Sequence, residues 1–151
     1  MEQSEGFVMN WSEYFMKLAS TVSEKSKDTT KVGCVIVGED NQILSTGWNG
    51  FARGVWDDDA FSDRRERPQK YKWTIHAEAN AICNAARSGV MLKSATAYVT
   101  HKPCSSCADM LIQAGIKKVV HGFGKTVGEQ EFAFDIADQK FYEAGVKMEI
   151  V

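Results

Sequence analysis

Two short runs of this chain hold side chains that could bind zinc. Residues 76–78 read His-Ala-Glu, and residues 103–107 read Pro-Cys-Ser-Ser-Cys. His76, Cys104 and Cys107 would supply one imidazole and two thiolates, which are ligands that tetrahedral Zn²⁺ prefers. Structural zinc sites normally take all four ligands from the protein, whereas catalytic sites leave one position open for water. The two runs therefore predict a catalytic zinc site.

Glu78 is the candidate proton carrier of this site. It lies two residues after His76, which is too close along the chain for an obvious further ligand. Two thiolates cancel the charge of Zn²⁺, so bound water is acidified less than at an all-histidine site and a nearby general base matters more. The combined pattern H-x-E…P-C-x-x-C is typical of zinc-dependent nucleobase deaminases.

The same cysteines allow other interpretations. C-x-x-C also occurs in redox dithiols and in closed zinc sites, but a redox dithiol leaves His76 and Glu78 without a role. The purely structural alternative is a buried histidine beside two core cysteines. A closed structural site would make Glu78 dispensable, and the protein would then be a non-catalytic zinc-binding module. Such a site needs a fourth ligand, for which the candidates are Cys34, Cys83, His101 and His121.

Composition indicates an ordinary globular protein. The 151 residues predict a single domain over 1–151, and 44% of them are hydrophobic and 25% charged. No apolar run approaches the ~20 residues of a membrane span, and the acidic N-terminus does not resemble a secretory signal. Only four cysteines, two of them assigned to zinc, favour a reducing compartment. We therefore expect a cytoplasmic protein without a membrane partner.

The hydrophobic periodicity predicts alternating helices and strands. A helix capped by Asn10 precedes two hairpin strands, and three further strands follow, each preceded by a helix. The predicted ranges are helices 11–25, 77–87, 103–114 and 131–144, and strands 32–37, 42–48, 96–100, 117–122 and 146–151. Crossovers between the late strands should be right-handed and parallel, which gives a three-layer α/β/α sandwich with a mixed five-stranded sheet. Residues 49–73 form an irregular stretch of the kind that is often functional.

Both zinc motifs fall where a strand turns into a helix. The metal should therefore lie between two helix N-termini, whose positive ends stabilise thiolates. Pro103 suits the first helical position, because the N–H that it lacks would have no partner there.

At this point the chain resembles the cytidine/deoxycytidylate deaminase superfamily, and within it the deoxycytidylate (dCMP) deaminases, over about residues 11–148. The matching segments are 26–28, 32–37, 47–54, 76–82, 103–108 and 112–116. The narrower resemblance rests on residues 47–54, where dCMP deaminases usually have the sequence G-Y-N-G-x-P-x-G. Here Trp48 replaces the tyrosine and Ala52 the proline.

The resemblance implies a cytidine deaminase-like fold and the hydrolytic deamination of dCMP to dUMP with release of ammonia. Glu78 would move protons between water, ring N3 and the departing ammonia. Asn49 would bind the sugar hydroxyl, and the backbone N–H of Ala77 would bind the base carbonyl. The 5′-phosphate needs cationic donors, and the candidates from loops near the zinc are Lys27, Arg53 and Lys125. Arg53 has a structural alternative, an ion pair with Asp57 or Asp58.

The resemblance also implies partners. Family members are often hexamers that dCTP activates and dTTP inhibits, so we expect a homo-oligomer, and Mg²⁺ could accompany a nucleotide effector.

Other cytosine nucleosides or nucleotides, guanine and nucleic-acid bases remain alternative substrates. A nucleic-acid deaminase should show basic and aromatic residues for backbone tracking and stacking, whereas residues 57–59 are acidic and the net charge is −2. We therefore expect no nucleic-acid partner.

Overall fold

The computed structural model describes residues 8–124 and 133–151. Five strands form one sheet: β1 (Gly33–Val37), β2 (Ile43–Trp48), β3 (Thr96–His101), β4 (Lys118–Gly124) and β5 (Lys147–Ile150). Their order in the sheet is β2-β1-β3-β4-β5. The hairpin strands β1 and β2 pair antiparallel, β1 pairs antiparallel with β3, and β3, β4 and β5 run parallel. The predicted mixed five-stranded sheet is confirmed.

The described helices are α1 (Trp11–Ser23), α2 (Lys70–Trp73), α3 (Ala77–Ser88), α4 (Ser105–Gln113) and α5 (Phe134–Glu143). The predicted start of the last helix, at residues 131 and 132, lies outside the described residues. Pro103 does not occupy the first helical position as expected. Cys104 has extended backbone angles and is the N-cap of α4, so the proline precedes the helix.

The sheet separates two hydrophobic clusters. Cys34 and Ile36 of β1 face the cluster formed with α3, α4 and α5. Val35 and Val37 face the other side, where Phe15 of α1 packs. This alternation buries both faces of β1, and it confirms the three-layer α/β/α sandwich. No helix in the described ranges is long and apolar enough to cross a membrane.

The irregular stretch 49–73 contains a 3-10 helix, Asp59–Arg65, followed by the short α2. Its acidic residues serve local structure: Asp57 pairs with Arg65 and Lys27, and the Asp58 side chain caps the 3-10 helix. The stretch also carries aromatic residues that the sequence analysis did not weigh. The guanidinium carbon of Arg64 lies 4.5 Å from the centre of the Phe61 ring and 4.0 Å from that of Trp73.

Candidate active site

Two helix starts position the metal-ligand candidates. His76 is the N-cap residue of α3 and Cys104 is that of α4, and neither side chain makes a capping hydrogen bond. Cys107 lies three residues after Cys104, one helical turn further along α4.

The three donor atoms are arranged as a zinc site requires. Nδ1 of His76 lies 3.4 Å from Sγ of Cys104 and 3.4 Å from Sγ of Cys107. Zn–N and Zn–S bonds of ordinary length in a tetrahedron separate nitrogen and sulfur by about 3.5 Å. The residues present therefore fit Zn²⁺.

The donor cluster contains three residues. All its donor atoms lie within 4.8 Å of one another, and in the described ranges no fourth His, Cys, Asp or Glu belongs to it. The proposed fourth ligands of a closed site are accordingly not part of the cluster: Cys34, Cys83, His101 and His121. A three-donor set leaves one tetrahedral position for a non-protein ligand, as in catalytic zinc sites.

The pKa values of the two cysteines are shifted in opposite directions. The pKa of Cys104 is lowered to about 4, first because Cys107 donates a hydrogen bond to its thiolate and then because His76 does. The pKa of Cys107 is raised, because its thiol proton is held in the hydrogen bond to Cys104 and because the side chain is buried. The hydrogen bond to Cys104 also raises the pKa of His76. The site therefore holds a thiolate at neutral pH, which is the form of cysteine that binds metal.

Glu78 lies in the first turn of α3 and is only 4% exposed. Burial raises its pKa to about 7, although the charge of His76 opposes this shift. A carboxyl group with a pKa near the working pH can both accept and donate a proton. This environment suits the proton-carrying role predicted for Glu78.

A close approach between β2 and α3 positions this turn. A Cβ atom on Gly47 would lie 2.6 Å from the carbonyl oxygen of Ala77 and 2.4 Å from the backbone nitrogen of Ala81. Only glycine allows this separation, so Gly47 seats the start of α3 against the sheet.

A cleft that is partly open to solvent lies over the donor cluster. Five residues predicted for the site line it: Asn49, His76, Ala77, Glu78 and Cys104. The Asn49 side chain is already engaged in the fold: its Oδ1 accepts a hydrogen bond from the N–H of Val32 at 2.9 Å, and its Nδ2 donates to the carbonyl of Thr30 at 2.8 Å. One lone pair and one N–H of the amide are left for a ligand.

The predicted phosphate ligands are placed differently. Lys27 and Arg53 line a neighbouring cleft. Lys27 donates to the carbonyl of Asp57 at 2.7 Å, and Arg53 donates to Oδ1 of Asn84 at 2.6 Å rather than pairing with Asp57 or Asp58. Lys125 lies outside the described residues. A phosphate role for any of these three cations stays a prediction.

Sequence reasoning gave no substrate-binding role to other polar residues that line the cleft with Glu78: Asp28, Arg67, Lys70, Tyr71 and Lys102. His101, considered there only as a fourth zinc ligand, also lines the cleft. Arg67 donates through Nε to the Tyr71 hydroxyl at 2.9 Å, and Lys102 pairs with Asp138 at 2.6 Å. Arg67 and Lys70 belong to a mixed-charge run that looked solvent-exposed. Their closeness in sequence to His76 was the signal that could have found them.

Residues 9–123 match the family model of the cytidine and deoxycytidylate deaminase zinc-binding region. The chain belongs to this family. A probable deoxycytidylate deaminase of Caenorhabditis elegans is 49% identical over 108 residues, which are 70% of this chain and 53% of that protein. The human deoxycytidylate deaminase is 39% identical over 117 residues, 74% of this chain and 64% of that protein. The chain thus spans between half and two thirds of the length of these two relatives.

A solved structure supports the same family assignment. The dCMP deaminase of the cyanophage S-TIM5, in complex with dCMP and dUMP, aligns with a TM-score of 0.73 and 29% identity, covering 95% of this chain and 100% of that chain. The cytidine deaminase-like fold is therefore confirmed, and the donor cluster of this chain is that of a zinc-binding deaminase family.

Proposed function

We propose that this protein is a zinc-dependent hydrolase that converts dCMP to dUMP and ammonia. His76, Cys104 and Cys107 hold the metal, and Glu78 is the catalytic acid–base. The observation that carries the proposal is the buried Glu78 carboxyl beside a three-donor cluster, with a cleft over both. The similarity to deoxycytidylate deaminases supports dCMP as the substrate.

The reaction adds water to C4 of cytosine and breaks the bond from C4 to the exocyclic nitrogen. Bound zinc would supply the nucleophile by acidifying a water molecule. Glu78 accepts the first proton of the attacking water and delivers it to ring N3. It then carries the remaining hydroxyl proton to the amino group, which leaves as ammonia.

The cleft offers further groups for binding the nucleotide. The backbone N–H of Ala77, at the first position of α3, would donate to the base carbonyl. Asn49 borders the same cleft and keeps limited hydrogen-bonding capacity for the sugar. For the 5′-phosphate, Arg67 joins the predicted Lys27, Arg53 and Lys125 as a candidate, because it lines the cleft and a guanidinium suits phosphate.

The finer predictions concern assembly and regulation. We predict a cytoplasmic homo-oligomer, with a hexamer favoured, activated by dCTP and inhibited by dTTP, and Mg²⁺ as companion of the effector. Light scattering at several protein concentrations measures the assembly. Kinetics with each effector, with and without Mg²⁺, measure the regulation.

The deciding experiment compares steady-state ammonia release from dCMP, CMP, deoxycytidine and cytosine, with single-stranded DNA and transfer RNA assayed alongside. We expect the highest kcat/KM for dCMP. Faster deamination of single-stranded DNA or transfer RNA would indicate that the protein is a nucleic-acid deaminase instead. A zinc-loaded protein that is inactive on every substrate would be a non-catalytic zinc-binding module.

A further inference from the structure

The connection between β3 and α4 carries one of the zinc-ligand candidates, Cys104. Strand β3 ends at His101 and α4 begins at Ser105, so residues 102–104 lie outside regular secondary structure. Cys104 is the N-cap of α4, and its side chain makes no capping hydrogen bond. A ligand in such a connection depends on contacts from other parts of the fold to hold it in the geometry that a metal requires.

Helix α5 makes contacts of this kind on both sides of Cys104 in the chain. Before the cysteine, Nζ of Lys102 donates to Oδ2 of Asp138 at 2.6 Å. After the cysteine, Nζ of Lys140 donates to the hydroxyl oxygen of Ser105 at 2.8 Å. Asp138 and Lys140 are two residues apart on α5, so one short part of this helix contacts both flanks of the ligand.

Lys140 also contacts the next turn of α4. Its Nζ lies 2.9 Å from Oδ1 of Asp109, which follows Ser105 by four residues. The ammonium group therefore joins the two ends of the helical turn that contains Cys107. Both helices contribute fully buried residues to one hydrophobic cluster: Ala108 and Leu111 from α4, and Ala137 and Phe141 from α5.

Stability alone does not explain the polar contacts of α5. The side chains of the two ion pairs, Lys102 with Asp138 and Lys140 with Asp109, are between 33% and 59% exposed. Exposed ion pairs contribute little to the free energy of unfolding. Lys140 also places a positive charge at the first turns of α4, where the helix dipole disfavours a cation. What the contacts share is their position around the cysteine motif.

We propose that Asp138 and Lys140 are positioning residues that hold the cysteine motif in the geometry that zinc needs. This inference rests on the zinc site of the proposed function. Asp138 fixes the connection that leads to Cys104, through Lys102, and Lys140 fixes the turn that carries Cys107. Without these contacts the two sulfur atoms can move relative to the third donor, so zinc should be bound more weakly.

The test is an alanine scan of three consecutive positions on α5. Zinc affinity is measured by competition between the purified protein and a chromophoric chelator. The double variant Asp138→Ala/Lys140→Ala should lose about tenfold in zinc affinity, the low end of what groups outside the ligand set contribute. Gln139→Ala is the matched control, since Gln139 forms an exposed hydrogen bond with Glu143 at 2.8 Å and should keep the wild-type affinity. A double variant that binds zinc as tightly as Gln139→Ala would overturn the proposal.

Lys140→Arg separates positioning from a general loss of stability. An arginine keeps a cationic donor for Ser105 and Asp109, so it should bind zinc more tightly than Lys140→Ala. The melting temperatures of the metal-free variants are measured alongside. If the loss of affinity follows the loss of melting temperature and Lys140→Arg restores neither, the role of Lys140 is structural and the proposal is wrong.

A measurement on the wild type keeps the proposal testable if the double variant does not fold. Salt screens exposed ion pairs, so zinc affinity should fall between low and high salt, and an unchanged affinity would contradict the proposal. If the wild type binds no zinc, the ligand assignment and this inference both fail. Tight zinc binding that neither the substitutions nor salt weakens would overturn this inference alone.

Discussion

Gly47 of β2 lies so close to Ala81 of α3 that a Cβ on the glycine would be 2.4 Å from the backbone nitrogen of Ala81. Real Cβ atoms do not approach backbone this closely, so strand and helix would have to move apart. The first turn of the same helix carries Glu78, and its N-cap is His76. A change in the distance between β2 and α3 would therefore move His76 and Glu78.

Gly47→Ala should destabilise the fold and weaken metal binding together. Overpacking of this kind typically costs about 1–3 kcal/mol, so we expect a lower melting temperature and reduced zinc content. Gly50→Ala is the matched control, since the nearest atoms to its Cβ lie 3.8 Å away. Equal melting temperatures for the two variants would show that β2 and α3 adjust without cost.

The purified protein should contain one zinc per chain. Cys104→Ala and Cys107→Ala should lose it, because each removes one of the three donors. Cys83→Ala changes an exposed thiol outside the cluster and should keep full occupancy. Elemental analysis measures all three, and undiminished zinc in Cys104→Ala would contradict the ligand assignment.

Glu78→Gln should fold and keep its zinc but lose most turnover. The substitution preserves shape while removing the group that accepts and donates protons, and general acid–base catalysis usually contributes at least about a hundredfold. The comparison is steady-state dCMP deamination, with exposed Glu39→Gln as control. If Glu78→Gln keeps its zinc and loses less than about a hundredfold in turnover, another group carries the proton.

Arginine substitutions should separate the main cleft from its neighbour. Arg67→Ala should lower kcat/KM for dCMP by roughly one to two decades, because Arg67 lines the cleft over the donor cluster and a charge-assisted phosphate contact is worth about 1.5–3 kcal/mol. It should leave deoxycytidine, which has no phosphate, nearly unaffected. Arg53→Ala, in the neighbouring cleft, should instead change the response to dCTP. A similar loss on both substrates in Arg67→Ala would indicate a structural role.

The metal ligands and Glu78 could be predicted from sequence because their positions are set locally. Each motif lies at the start of a helix, and the helix geometry then fixes Cys107 relative to Cys104. The prediction that both motifs lie at strand-to-helix turns was wrong for His76, because α3 follows α2 and residues 74–75, and only the cysteine motif follows a strand, β3. The sheet was predictable for a related reason, since each strand is a short hydrophobic run bounded by turn signals.

The wall of the cleft could not be predicted in the same way. Lys70 faces Asp28 across 42 positions of sequence, and that pairing depends on how an irregular stretch folds back on the loop after α1. Loop cations such as Lys27 and Arg53 looked equally suited to the cleft, yet both lie beside it. The local sequence of a loop does not determine which of two neighbouring clefts its side chains line.

The proposed reacting groups and most of the other charged and polar residues that line the cleft come from different parts of the chain. His76, Glu78 and the two cysteines belong to the starts of α3 and α4, which the sheet holds. Arg67, Lys70 and Tyr71 come from the stretch 49–73, which lies outside the sheet. On the proposed function, this division predicts that replacing that stretch alters which nucleotide is accepted while the groups that perform the chemistry stay in place, which would give a route for engineering new substrate preferences.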